Sequence, residues 1–556
     1  MASKKKSNDA DALEAVLHHV GDMGRYQKLL FLLMMPFGFF FAFIYFVQMF
    51  IAVTPANYWC KIPELQHLDM EVRRNLSAPG AALGGRWESC KTFDVNWTDV
   101  LETMQPPAEG TPLVPCAHGW DFEFSDIPYE TVITERGWVC EYDSYAPTAQ
   151  AIFFAGSFVG GLFFGWLADH FGRVPALIGA NLIGAAGGIA TIYTTDIWDF
   201  ILCRFLVGMS FDNAFMTMYI LVLEYVGARH RTWVANMSIA LYFGCGCLSL
   251  PWIALWLADW RKLLWFTSLP MLVVVLAPLV VPESARWLVS RGRISQAVEV
   301  LKKFERVNGT KIPEDVMDDF IVSSNQTKQS RESFLVLFRS PLMRTAMILL
   351  LLVYMACSII FDGLVRMSNA FGLDFFITFT LTSATEIPSI SLLTLLLDRW
   401  GRRNLTVAPM GICGVLIFIA LFVPKGLPQA ALAIAARFCI NMSYNATIQW
   451  VTELLPTPVR ASGSASLHMS GYIATVISPF IVYSDIAWSL LPLLILGVVA
   501  MLGSGMSLML PETKGLSMPQ TMADSEAIIR EKSLCRRPVA VEDEEVVSEK
   551  EKSFIT

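Results

Sequence analysis

A block of charged residues occurs twice along this chain at a constant offset. Asp169, Gly172 and Arg173 return as Asp398, Gly401 and Arg402; Glu224 and Arg231 return as Glu453 and Arg460; Pro282-Glu283 returns as Pro511-Glu512. In each pair the second number exceeds the first by 229. Both copies lie among long apolar runs, so the chain reads as a duplicated membrane unit with its charges at matching depths. Duplication of this kind predicts a transporter whose halves rock about a shared central site.

Composition sets the solvent. Of 556 residues, 54% are hydrophobic and only 16% charged, a balance that requires lipid around much of the surface. About 20 apolar residues cross a bilayer as a helix, and on that measure twelve spans are expected. The expected fold is all-α, two pseudo-symmetric six-helix bundles plus an outer loop domain. Its parts are a segment 1–28, a first span 29–53, an outer loop 54–146, spans two to six over 147–281, a linker 282–344, spans seven to twelve over 345–510 and a tail 511–556. Lys and Arg gather in alternate connections, which places both termini and the linker in the cytoplasm.

The outer loop is too long for a simple connection and should fold by itself. It carries Cys60, Cys90, Cys116 and Cys140 and two glycosylation acceptors, Asn75 and Asn96. Four cysteines facing an oxidising compartment suggest two disulfides, in any of three pairings. A zinc site competes as a reading but lacks CxxC spacing. The sequon at Asn308 falls on the cytoplasmic side and should be silent. Before the first span, Leu13, Val16, Leu17 and Val20 repeat at helical spacing. The run Glu542 to Lys552 reads as a disordered acidic tail.

The duplicated charges suggest gating. Asp169 and Asp398 end helices beside the glycine turns and cations of Arg173 and Arg402, and can pair with arginines or cap a neighbouring helix. Glu224 with Arg231 and Glu453 with Arg460 are expected to complete the two networks, with Glu283 and Glu512 beside them. Pairs made in one conformation and broken in another bias which side is open.

These motifs, with Val20-Gly21-Asp22-Met23-Gly24-Arg25-Tyr26-Gln27, Pro282-Glu283-Ser284-Ala285-Arg286-Trp287-Leu288, Glu453-Leu454-Leu455-Pro456-Thr457-Pro458-Val459-Arg460 and Leu510-Pro511-Glu512-Thr513-Lys514-Gly515, resemble the major facilitator superfamily. The long Cys-bearing outer loop narrows the likeness to the solute carrier 22 family of organic cation and carnitine transporters. The resemblance implies a pocket lined by spans 4, 7, 10 and 11. Two departures stand out: His170 replaces the usual Arg, and Thr394 stands where the second motif copy would have Gly.

An ionisable group near mid-bilayer costs about 2.5–3.5 kcal/mol, so it needs a partner, water or substrate. Asp212 in span 4 and Glu386 in span 8 sit deep, Asp362 and Arg366 lie one turn apart in span 7, and Arg437 lies in span 10. Pro388 should free a carbonyl and break span 8 beside Glu386. Each group also has a structural reading, Asp362 paired with Arg366 and Glu386 with Arg437, whereas Asp212 has no cation one turn away. Phe215, Tyr219, Tyr242, Phe361, Tyr444 and Tyr472, together with Phe40, Phe41 and Tyr45, offer aromatic faces worth about 0.5–2 kcal/mol each to an ammonium. Asn445 and Gln449 add polar edges. In the resembling family, cation carriers place an Asp where this chain has Tyr472 and anion carriers a base, so neither charge rule transfers.

The expected substrate is therefore a small organic cation or zwitterion, its amine toward Asp212 or Asp362 and any carboxylate toward Arg366. It would move by alternating access across the plasma membrane. An organic anion exchanger and a non-transporting glycosylated receptor are the alternatives. Asp212 and Glu386 could carry a coupled proton. No P-loop, metal-ligand cluster or nucleophile motif points to an enzyme, cofactor or metal, and nothing points to nucleic acid. The oligomeric state, a monomer included, is open.

Overall fold

Apolar helices of membrane length fill Arg25–Ile51 and most of 145–280 and 341–508, separated by a long loop and a linker. The computed structural model describes residues 9–81, 87–108, 110–326, 334–456, 458–516 and 518–532. The acidic run from Glu542 lies outside them. Among the described residues, eleven helices are long and apolar enough to cross a membrane. They include span 1 (Arg25–Ile51), span 2 (Tyr145–Phe171), span 3 (Arg173–Thr191), span 4 (Ile197–Tyr225), span 5 (Arg229–Leu257), span 7 (Pro341–Arg366), span 8 (Phe375–Trp400), span 9 (Arg402–Leu421) and span 11 (Ser462–Ile486). Span 10, Leu427–Leu454, is a 28-residue helix that falls below that apolarity. The deficit comes from Arg437, Asn441, Asn445 and Gln449, which face inward rather than toward lipid.

Three spans lose regular geometry at one depth. Span 4 is interrupted between Ser210 and Asn213, span 8 between Ala384 and Glu386, and span 5 widens to a π-helix over Ser238–Phe243. Pro388 accounts for span 8: without an N–H it leaves the Ala384 carbonyl free, and the helix breaks at Thr385. Broken backbone at membrane depth is tolerated where it lines a cavity, and Asp212, Glu386, Ile239 and Phe243 line one.

The duplicated motif folds into duplicated caps. Glu283 accepts from the backbone N–H of Arg173 (2.8 Å) and Val174 (3.1 Å), capping span 3. Glu512 does the same for Arg402 (2.9 Å) and Arg403 (3.1 Å) at span 9. A carboxylate there satisfies orphan donors and faces the positive end of the helix dipole. The turns before both helices use glycine in the left-handed region, Gly172 at φ 115° and Gly401 at φ 84°. A methyl on Gly401 would stand 2.5 Å from Glu512 Oε2. Gly401→Ala should therefore cost at least the roughly 1–2 kcal/mol of left-handed strain, seen as a Tm lower by several degrees in detergent; an unchanged Tm would mean the turn relaxes.

The arginine partners differ from expectation. Arg173 pairs with Asp169 (3.0 Å), and Arg402 with Glu453 (2.7 Å) and Asp398 (3.4 Å). Arg231 instead reaches Glu14 (3.5 Å) on the amphipathic helix Asp9–Val20, and Glu224 bonds Ser284. Arg460 donates to the carbonyls of Leu455 and Pro519. Both arginines thus turn to the N-terminal helix and the C-terminal segment and do not pair with Glu224 or Glu453. Asn308, whose amide bonds Tyr26 N–H, Val20 carbonyl and Gln27, ties the linker helix Ile294–Asn308 to the start of span 1.

The outer loop holds two short antiparallel ribbons, Tyr58–Cys60 with Trp120–Phe122 and Lys91–Phe93 with Leu113–Pro115. Its disulfides join Cys60 to Cys116 and Cys90 to Cys140. Asn75 and Asn96 are exposed. Glu135 anchors the loop to span 6 (Trp260–Val280), accepting from Trp260 Nε1 (2.9 Å) and both guanidinium ends of Arg261. The hydrogen bond from Arg261 holds the Glu135 carboxyl below its ordinary value. A depressed carboxyl contributes its clasp above the unfolded value of about 4.3 and loses it only as pH falls through the lower folded value, so the loop stays docked at neutral pH.

Candidate substrate site

The two bundles meet around a cavity lined from both halves. Toward the disulfide-bearing loop, Phe46 and Phe50 of span 1 pack on Phe375, Phe376 and Phe379 of span 8, ring centres 5.0–6.1 Å apart. Toward the linker side, Asn236 of span 5 donates to Thr394 (2.8 Å) and accepts from Gln449 (3.3 Å). Between these closures lies a cavity of about 120 Å³.

Its walls are two aromatic stacks. From the first half, Phe41 stacks on Phe211 (4.8 Å) and Phe215 (5.2 Å), and Tyr45 on Phe211 (5.0 Å). From the second half, Tyr444 lies between Phe361 (5.1 Å) and Tyr354 (5.0 Å), with the two tyrosine hydroxyls 2.7 Å apart. Asp212, at the break in span 4, sits between the stacks. Tyr472 and His468 line the same cavity from span 11. His468 Nδ1 is 3.2 Å from the Tyr354 hydroxyl.

Two other acids in the spans, Glu386 and Asp362, are paired with arginines. Glu386 Oε1 meets Arg437 Nη2 at 2.6 Å, its Oε2 accepts from Asn441 (2.6 Å), and the pair is almost wholly buried. The guanidinium also bonds the Phe361 carbonyl and lies 3.3 Å from that ring's centre. Asp362, fully buried, takes both its carboxylate oxygens to Arg366 (2.6 and 3.0 Å) and accepts from the Tyr45 hydroxyl (2.8 Å). Asp212 has no such arginine or lysine among the described residues.

Of the twelve residues proposed from sequence, Asp212, Phe215, Phe361, Glu386, Tyr444, Asn445 and Tyr472 line the cavity. Asp362 and Arg366 do not, because each neutralises the other one helical turn away, and Arg366 borders a separate outer vestibule instead. Tyr219 packs beside Phe215 (5.7 Å), Tyr242 donates to the Phe31 carbonyl, and Gln449 serves the linker-side closure. Sequence reasoning passed over His468, Tyr354, Asn441 and Phe211. His468 left a signal, a lone ionisable side chain one turn before Tyr472, and Asn441 stands at helical spacing between Arg437 and Asn445.

Residues 115–523 match the family described as sugar (and other) transporter. The carcinine transporter of Drosophila melanogaster is 32% identical over 544 residues, 94% of this chain and 80% of that protein. Solute carrier family 22 member 1 of Oryctolagus cuniculus is 30% identical, covering 93% of this chain and 96% of that protein. The chain belongs to solute carrier family 22. The Drosophila melanogaster beta-alanine transporter is a further relative, 29% identical across 94% of this chain and 90% of its own. The proton:xylose symporter XylE bound to 6-bromo-6-deoxy-D-glucose shares the fold, with a TM-score of 0.53 at 18% identity over 68% of this chain and 89% of that one. As a solute carrier 22 member of the major facilitator superfamily, the chain is a multi-pass membrane transporter. Asp212, with no arginine or lysine partner among the described residues, lies in span 4 and lines the cavity with Tyr472 of span 11.

Proposed function

We propose that this transporter carries small amine-bearing organic ions, cations or zwitterions, across the plasma membrane by alternating access. One observation carries the reading: among the described residues no arginine or lysine pairs with the Asp212 carboxylate, which lines an aromatic-walled cavity. An uncompensated buried carboxylate is costly, and an ammonium removes that cost while resting its face on Phe211, Phe361 or Tyr444. A plain anion would meet the acid with no positive group free to hold it. The printed names of the relatives, carcinine and beta-alanine transporters among them, agree with an amine-bearing substrate.

Asp362, Arg366 and Tyr45 take a different role in this reading, as a clasp between the bundles on the outer side. Tyr45→Phe removes a hydrogen bond to a charged acceptor, worth about 1.5–3 kcal/mol, and should open the outer side at least tenfold more often. Labelling of Ser358→Cys by an impermeant thiol reagent, with and without Tyr45→Phe, measures this. The substrate class is tested by competition in proteoliposomes. Choline, carnitine and β-alanine should inhibit one another's uptake, and urate should inhibit none; inhibition by urate alone would reverse the proposal.

A further inference from the structure

Asp212 raises a question that substrate binding answers for only half of the transport cycle. When the carrier resets empty, the same carboxylate must cross the occluded state with no ammonium beside it. A lone carboxylate in that cavity would leave a charge sealed in low dielectric, which titratable groups avoid by taking up a proton.

The groups facing Asp212 narrow the possibilities. From span 11 come Tyr472 and His468, which line the same cavity as Asp212. Span 7 presents Tyr354, bonded to His468, and span 10 presents Tyr444, bonded to Tyr354. Glu386 of span 8 is held by Arg437 and Asn441. Tyr45 of span 1 has given its hydroxyl to Asp362. Among the described residues that line the cavity there is no arginine or lysine. His468, the imidazole in that lining, can accept and return a proton, and it stands on the opposite bundle, so both halves of the carrier meet at this pair.

Building on the ammonium reading, we infer that the Asp212–His468 pair holds one proton in the empty carrier and exchanges it for the substrate cation, one for one. On binding, the cation displaces that proton, whose O–H or N–H bond breaks, and it leaves as hydronium on the side from which the cation entered. On the far side the cation departs, a hydronium there restores the bond, and the pair resets neutral. No electrons move, and the net exchange is electroneutral. Transport should then follow the proton gradient and ignore the membrane potential.

A permanently charged probe separates the carrier's proton from the substrate's own. The purified full chain is reconstituted into liposomes containing a trapped pH dye, and radiolabelled choline is added outside. With the interior one pH unit more acid than the medium, choline should accumulate about tenfold at zero potential, the ratio set by one-for-one exchange with a tenfold proton gradient. The dye should report alkalinisation matching choline uptake, and a potassium-valinomycin potential should not alter the final ratio. Asp212→Asn should abolish both fluxes, and Asp212→Glu should restore them. Choline uptake that tracks potential, with no alkalinisation, overturns the exchange while sparing the substrate reading. Absence of saturable choline, carnitine or β-alanine uptake by the folded wild type overturns both. His468→Gln that leaves the coupled proton flux at wild-type rate removes the imidazole's part and overturns the shared-proton assignment.

Discussion

Asp212→Asn should lower organic-ammonium uptake at limiting concentration by at least two orders of magnitude, with the protein still folded and at the surface. Removing one partner of a buried ion pair costs about 3–5 kcal/mol, and 1.4 kcal/mol is a factor of ten in affinity. The amide keeps the shape, so packing around the break in span 4 survives. It cannot offset a cation sealed between the Phe211 and Tyr444 stacks. Because the carboxylate has no arginine to leave stranded, Asp212→Asn should not destabilise the apo protein, and neutralising it should if anything raise the Tm. Uptake assays beside a thermal-shift measurement give the two halves of the prediction. Wild-type uptake in a well-folded Asp212→Asn would place the substrate elsewhere.

Arg437→Met should have the opposite signature, a collapse in folding rather than a selective loss of transport. Arg437 is buried in span 10 and holds Glu386, the Phe361 carbonyl and the face of the Phe361 ring. Its removal leaves Glu386 uncompensated in the membrane interior, at about 3–5 kcal/mol by analogy with buried pairs in soluble proteins. That is a large share of a marginal stability. Glu386→Gln in the same chain removes the stranded charge, and the double variant should recover most of the expression that Arg437→Met loses. A double-mutant cycle on Tm measures the coupling. Equal losses in the single and double variants would mean that Arg437 acts through Phe361 and not through Glu386.

The contrast between these two acids shows where sequence reading stops. Both are carboxylates in apolar spans, and both border the cavity. For Glu386 the choice between substrate contact and structural pairing stayed open along the sequence, since Arg437 lies on another helix and only the packing of spans 8 and 10 brings them to 2.6 Å. For Asp362 the partner was visible one turn away, yet its third bond, from Tyr45 of the other bundle, was not. The same limit explains the gating arginines: Arg231 and Arg460 sit at matched positions, but short-range spacing could not foresee that they turn to Glu14 and the Pro519 carbonyl.

From the sequence alone came the membrane class, the duplicated bundles, the disulfide-rich outer loop, the break at Pro388 and the loneliness of Asp212. Each follows from local chemistry or from a repeat, which a linear string records. Tertiary structure alone decided the disulfide pairing, the identity of the two clasps and the arrival of His468 opposite Asp212. Those depend on which helix faces touch, and a span whose sides are all apolar does not announce which side turns inward.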